Sequence, residues 1–315
     1  GSRRGYNFMA TFFMPDLLHI PQIESFVDYL SFEKRYSQHT VIAYKKDLEQ
    51  FFSFLKKKEY PFSPLQDIAT VHIRSWLADL MENQRTGKTV NRKISTLKAF
   101  FKYYLRTGLL QTSPMTTVIS PKIAKRLPVF VEQKHTETLF NHVAFKEGWE
   151  GHTERLILEL LYTTGMRLSE LISIKENQVD IKQLRIKVLG KGNKERMIPL
   201  DAKIAGSINA YMQEKRRVHE SFGEMHLLVN AKGKKLYPKY VYLVVKKYLT
   251  LVTTIKKKSP HILRHTFATH LTNHGADINA VKELLGHSSL AATQVYTHNT
   301  IEKLKEVYQK AHPKA

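Results

Sequence analysis

Apolar residues recur at helical spacing through the first third of the chain. Tyr44, Leu48, Phe51, Phe52 and Leu55 form one stripe, and Ile94, Leu97, Phe101 and Tyr104 form another, the period of amphipathic helices. Ser37-Gln38-His39-Thr40 offers cap residues just ahead of the first stripe. Asn91, Ser95, Lys98 and Lys102 land opposite the second, at about 100° per residue. That helix then has an apolar back and a polar, basic front. The front suits contact with phosphates, although a plain solvated face has the same pattern. Residues 21–110 therefore read as short helices, with no strand pattern and no internal repeat.

The pattern breaks at 112–130. Pro114, Pro121 and Pro128 interrupt any helix, and Lys122, Lys125 and Arg126 make the stretch basic, as expected of an interdomain linker. From 131 onward the chain reads as mostly helical with one exception. Ile186 and Val188 alternate with polar residues, Gly190-Lys191-Gly192-Asn193 supplies turn chemistry, and Met197-Ile198-Pro199 follows, which predicts a β-hairpin. Helical patterns resume near 204–217, 238–250, 261–274, 277–285 and 300–311. The domain boundaries that follow are an N-terminal extension over 1–20, a helical domain over 21–111, a linker over 112–130 and a second domain over 131–315.

Composition narrows the class of partner. The 315 residues carry a formal charge of +22, with 42% hydrophobic and 25% charged residues. That describes a globular protein long enough for two domains, and an excess of positive charge that favours a polyanion, either nucleic acid or an anionic membrane surface. No apolar run approaches the roughly 18–20 residues needed to span a bilayer, and no signal-peptide pattern opens the chain, so a membrane is not expected as partner. The chain has no cysteine, which excludes disulfides, thiolate catalysis and sulfur-based zinc sites and fits a cytoplasmic protein. No phosphate-binding G-x-x-x-x-G-K-[ST] loop is present, so ATP hydrolysis is not expected. Gly1-Ser2 reads as a cloning scar, and the sequence gives Phe8, Phe12 and Phe13 of the extension no role.

Six residues in the second half suggest a chemistry by their order. Arg167 follows Thr163-Thr164-Gly165-Met166, where the Thr-Gly step should end one helix and the next should begin. Glu170 then either orients the Arg167 guanidinium or serves as a first-turn acid favoured by the helix dipole. His261 and Arg264 stand three apart after Ser259-Pro260, a helix-start signal, so both can address one phosphate from the same face. His287 directly follows Gly286, a helix-ending glycine, and Tyr296 lies nine residues further on. Lys191 occupies the hairpin turn. Attack on a phosphodiester without a metal must neutralise a phosphorane more highly charged than the ground state. The planar, permanently charged fork of arginine suits that task, and a phenol can be the nucleophile if a base or cations assist it.

Taken together, T-G-M-R-L-S-E-L, G-K-G-N-K-E-R, H-I-L-R-H-T-F-A-T-H-L, L-L-G-H-S-S and T-Q-V-Y-T-H resemble the successive signatures of the tyrosine recombinase (phage integrase) family. The resemblance covers nearly all of 153–300, and Ser37 through Leu55 and Asn91 through Gly108 are similar to the family's core-binding domain. It points to the Xer branch, and within it to a single-recombinase type such as XerH. The implied fold is mainly α, with a helical, SAM-like core-binding domain and a mixed α/β catalytic domain carrying a small antiparallel sheet. By resemblance, Arg167 and Arg264 clamp the scissile phosphate, Tyr296 attacks it to leave a 3′-phosphotyrosine, and Lys191 protonates the departing 5′-oxygen. His261 assists proton transfer at the nucleophile, and His287 hydrogen-bonds a non-bridging oxygen. Candidate DNA contacts are Ser37, His39, Thr40, Tyr44, Asn91, Arg92, Ser95, Lys98 and Lys194, and Lys194 also competes with Lys191 for the general-acid role.

The resemblance further implies a C-shaped clamp on a dif-like site with two inverted arms, a homotetramer on DNA, and resolution of chromosome dimers. It also implies activation by a cell-division DNA translocase and no metal or other cofactor. The apolar stripe Ile301, Leu304, Val307 and Tyr308 would dock on a neighbouring protomer or fold back on its own domain. Integrases or excisionases of mobile elements share every catalytic station, and type IB topoisomerases share the chemistry. A metal nuclease built on the pairs His261/His265 and His270/His274 lacks the clustered carboxylates that a hard-metal site needs. A DNA-binding protein with a decayed site is opposed by the presence of every station.

Overall fold

The computed structural model describes residues 20–122, 129–190, 195–218, 225–286 and 298–313, with backbone alone over 298–304. Lys191, Lys194, His287 and Tyr296 lie outside the described residues, as do Phe8, Phe12 and Phe13. The chain divides into two compact units, Gly1–Arg126 and Leu127–Ala315.

The first unit is helical. α1 (Pro21–Asp28) runs into a single π-helical turn, followed by α2 (Gln38–Lys57), α3 (Thr70–Glu82) and α4 (Gly87–Arg106). Ser37 caps α2 through its Oγ and the Thr40 N–H, and Thr86 caps α4 in the same way. The predicted stripes face inward: Leu48, Phe51, Phe52 and Leu55 meet Ile94, Leu97, Phe101 and Tyr104 in one core. Helix α3 carried no prediction of its own, and it completes that core with Ile73, Trp76, Leu77 and Leu80.

A buried polar knot pins α2 to α4. Asp47 accepts from Lys93 Nζ at 2.8 Å and Thr96 Oγ1 at 3.1 Å and also pairs with Arg92. The Lys93 ammonium lies 5.3 Å from the centre of the Trp76 ring. Removing one partner of a buried ion pair leaves the other charge stranded, at a cost of about 3–5 kcal/mol. Asp47→Ala should lose about that much in urea unfolding. A loss below about 1 kcal/mol would rank the pair with weak surface bridges.

The expected linker begins as a strap on the first unit. Leu110, Met115 and Val118 are buried in its core. Thr70 Oγ1 donates to the Pro114 carbonyl, Arg74 to that of Thr117 and Asn91 Nδ2 to that of Pro121. The prolines end helices here, but apolar residues between them still find a core.

The second unit is built around α6 (Gly148–Thr164), most of whose second half is buried on every side, as expected of a helix enclosed in a core. Before it lies α5 (Gln133–Asn141), and after it α7 (Leu168–Ser173). Three antiparallel strands follow: β1 (Val179–Asp180), β2 (Arg185–Leu189) and β3 (Glu195–Pro199), paired in that order. β2 and β3 form the predicted hairpin, with Ile186 opposite Ile198 and Val188 opposite Arg196. The two-residue β1 was not expected, being too short to show alternation. α8 (Ala202–Val218), α9 (Pro238–Val252), α10 (Pro260–Asn273), α11 (Ile278–Leu285) and α12 (His298–Ala311) complete the unit.

Within this single chain α12 packs on its own domain. Tyr308 and Ala311 share a core with Phe267, Leu271, Leu284 and Leu285. The Tyr308 hydroxyl donates to Asp201 Oδ2 at 3.2 Å, and burial, with Asp201 beside it, pushes the phenol well above its usual pKa. Docking on a neighbour was the alternative implied by resemblance; Ile301 and Leu304, two of its four stripe residues, have no described side chains.

Candidate active site

Two helix ends create the site. α6 stops at Gly165, whose φ of +59° is left-handed, and two residues later Arg167 becomes the N-cap residue of α7. α11 stops at Gly286, with φ of +63°. Left-handed glycines commonly end helices because a Cβ is penalised there. Helix α11 therefore presents its last carbonyls without intrahelical partners, at the negative end of its dipole.

Three arginines satisfy those carbonyls. Arg196 Nε donates to Leu284 O at 3.1 Å, Arg264 Nη2 to Leu285 O at 2.6 Å, and Arg167 Nη2 to Gly286 O at 3.1 Å. Arg264 also donates through Nη1 to Gly165 O at 2.5 Å, so one guanidinium ties the ends of α6 and α11 together. Glu170 is the acid among these cations. Its carboxylate takes two bonds from Arg196, at 2.7 and 2.9 Å. It takes two more from Arg167, through Nη1 at 2.8 Å and the main-chain N–H at 2.7 Å. Both roles considered for Glu170, orienter and first-turn acid, are thus filled at once.

Electrostatics follow from burial. Glu170 is 4% exposed, and burial alone would raise its pKa. The hydrogen bonds and charge of Arg196, with the Arg167 contacts, outweigh burial and hold the carboxyl below its usual range. Arg264 is 8% exposed; burial first, then the charges of Arg167 and Arg196, lower its pKa to about 10. It remains cationic at neutral pH. Three guanidinium groups around one carboxylate leave a net positive cradle.

The Glu170 shift predicts a pH dependence. A carboxyl whose folded pKa is depressed adds stability above its unfolded pKa, and that contribution is lost as pH falls through the folded value. Glu170→Gln should therefore be the less stable protein at pH 7, and the gap should narrow as pH falls below about 4. Chemical denaturation at a series of pH values measures it; a gap independent of pH would contradict the assignment.

Arg167 and Arg264 are thus brought to one helix end, directly before the segment that contains His287. His261 is exposed in the first turn of α10, ahead of the buried Arg264. Arg196 carried no prediction. The missed signal was strand parity: Arg196 shares the inward face of Ile198, two residues on, and a charge at an inward position needs a buried partner. In the first unit Ser37, His39, Ser95 and Lys98 are exposed and Thr40 half-buried. Tyr44 is half-buried against Phe26 and Tyr36. Arg92 keeps half of its side chain exposed beside Asp47. Asn91 is half-buried, and its amide nitrogen donates to the Pro121 carbonyl of the strap. Among the described residues no group of three His, Cys, Asp or Glu side chains could hold a metal ion, and no helix is long and apolar enough to cross a membrane.

A guanidinium cradle beside a small hairpin, gathered at two glycine-ended helices, has the charge and the spare N–H donors that an anion such as a phosphate requires. Comparison with known proteins specifies it further. Residues 130–303 match the phage integrase family, and residues 23–108 match the phage integrase N-terminal SAM-like domain. The chain is similar to the tyrosine recombinase XerC of Chlorobaculum parvum, with 36% identity across 93% of this chain and 94% of that one. It is also similar to the XerC of Listeria innocua, with 39% identity across 92% and 97%. Its fold resembles that of the XerH site-specific recombinase bound to difH substrate in a pre-cleavage complex (TM-score 0.66, 24% identity, covering 91% of this chain and 83% of that one). The chain belongs to the phage integrase family and, within it, to the tyrosine recombinases of the Xer branch.

Proposed function

We propose that this enzyme cuts and rejoins double-stranded DNA at a dif-type site through a 3′-phosphotyrosine intermediate and thereby resolves chromosome dimers. The observation that carries the reading is the convergence of Arg167 and Arg264 on the end of α11. Each guanidinium has five N–H groups, and the bonds described above occupy two on each. The remainder can bind the non-bridging oxygens of one phosphate. Arg167 keeps 29% of its side chain exposed, so the cradle is open to a substrate.

In this reading the Tyr296 oxygen forms a bond to phosphorus as the bond to the 5′-oxygen breaks. His261 receives the phenolic proton, Lys191 or Lys194 gives a proton to the leaving 5′-oxygen, and His287 donates to a non-bridging oxygen. Each donor acts on charge that grows toward the transition state, where a positioned donor contributes most. The phosphotyrosine keeps the energy of the broken bond, so a 5′-hydroxyl of another strand restores DNA without ATP. Exposed Ser37, His39, Ser95 and Lys98, with Thr40, Tyr44, Asn91 and Arg92, would contact the DNA, mostly along its backbone. The assembly would be a homotetramer on a site with two inverted arms, in the cytoplasm, responsive to a cell-division DNA translocase.

A suicide substrate, nicked so that the cleaved fragment diffuses away, tests the reading. A covalent protein–DNA adduct should accumulate in excess EDTA, and peptide mapping should find the phosphate on Tyr296. No adduct, or one that requires a divalent metal, would sink it. Four-way junctions formed between two DNA sites, rather than relaxation of supercoils alone, separate recombination from topoisomerase action.

A further inference from the structure

Arg196 links three parts of the site that are far apart in sequence. It leaves β3 two residues after Lys194, and its side chain is 5% exposed. Two of its nitrogens hold both oxygens of Glu170, and Nε holds the Leu284 carbonyl at the end of α11. Glu170 in turn holds Arg167 by its guanidinium and its main-chain N–H. The backbone at 286 makes room for this side chain: a Cβ there would come within 2.9 Å of Arg196 Cδ.

We propose that Arg196 is a positioning residue for DNA strand cleavage, which aims the Arg167 fork through Glu170 and sets the end of α11 through Leu284. The inference rests on the proposed phosphodiester transfer. A residue that merely neutralised Glu170 would need only one charge. Arg196 makes its three bonds from three separate nitrogens, a spacing that the planar fork has and the donors of one ammonium nitrogen lack. Strand β3 is thereby tied to the end of α11 and, through Glu170, to the start of α7.

Arg196→Lys separates charge from alignment. The full chain is assayed in single turnover on suicide substrates with either the normal phosphate or a neutral methylphosphonate at the scissile position. The parent chain must form the adduct on phosphate; if it does not, the functional reading fails and the role of Arg196 is not the cause. Given that adduct, Arg196→Lys should bind DNA with parental affinity but cleave the phosphate about 100-fold more slowly, the scale of a catalytic group displaced by about 1 Å. The methylphosphonate and its phosphorane each carry one negative charge fewer than the natural diester, which leaves less for Arg167 to neutralise, so on it the deficit should shrink to less than about 10-fold. An unchanged rate on phosphate, or the same deficit on both substrates, overturns the proposal.

Glu170→Gln supplies a second arm should Arg196→Lys fail to fold. It preserves shape, and it should show the same deficit and the same recovery on methylphosphonate. Where both single variants fold, the double variant should be no slower than the slower single, as for residues acting as one unit. Additive losses would mean that the two act independently, contrary to the proposal.

Discussion

Arg264→Lys should slow single-turnover DNA cleavage by on the order of 10²–10³-fold, the usual effect of removing a positioned donor to a developing oxyanion. Both side chains are cationic, so charge alone does not predict this loss. The Arg264 fork spans Gly165 O and Leu285 O and still has N–H groups for a phosphate. A lysine ammonium is a point donor that cannot reach both carbonyls and the substrate in one geometry. One helix-end carbonyl would then be buried without a partner, which costs about 1–3 kcal/mol of stability. Thermal unfolding and DNA binding measured alongside cleavage separate these effects. A variant that is less stable but cleaves at the parental rate would reduce Arg264 to a structural strut.

Tyr296→Phe should remove the covalent adduct altogether while leaving DNA affinity and folding as they were. The substitution deletes one oxygen, and that oxygen is the proposed nucleophile. The protein has 15 tyrosines, so another phenol is the obvious competitor. Structure weakens several of these. Tyr162, Tyr211, Tyr248 and Tyr308 lie in the core of the second unit. Burial pushes Tyr162 and Tyr211 up to about 12 and raises Tyr248 and Tyr308 as well, which makes their phenolates harder to form. An adduct that persists in Tyr296→Phe would move the nucleophile elsewhere, and mapping its peptide would say where.

The helices of both units were legible because their apolar periods are long and their ends are marked by Ser37, Gly165, Pro260 and Gly286. The hairpin was legible from alternation around a glycine-rich turn. The short β1 and helix α3 were not singled out, because two residues cannot alternate visibly and α3 blurs its stripe with exposed Val71 and Met81 beside its core residues. The strap over 110–121 read as linker because prolines exclude helix without excluding burial. At the site, local motifs marked Arg167, His261, Arg264, His287 and Tyr296 as candidates. Arg196 stayed hidden because its partner Glu170 is 26 residues away, and no local pattern announces an ion pair made across the fold.

By itself the sequence determined the order of the chemistry-bearing residues, the helix ends that carry two of them, and the family to which the chain belongs. Those are short-range properties, set by caps, turns and the period of apolar residues. Only tertiary structure decided that one helix end would gather three arginines and that Glu170 would serve two of them. Carbonyls left over at the end of α11, and a carboxylate buried among cations, must find partners wherever the packed chain supplies them. Which residues answer that need depends on the fold as a whole.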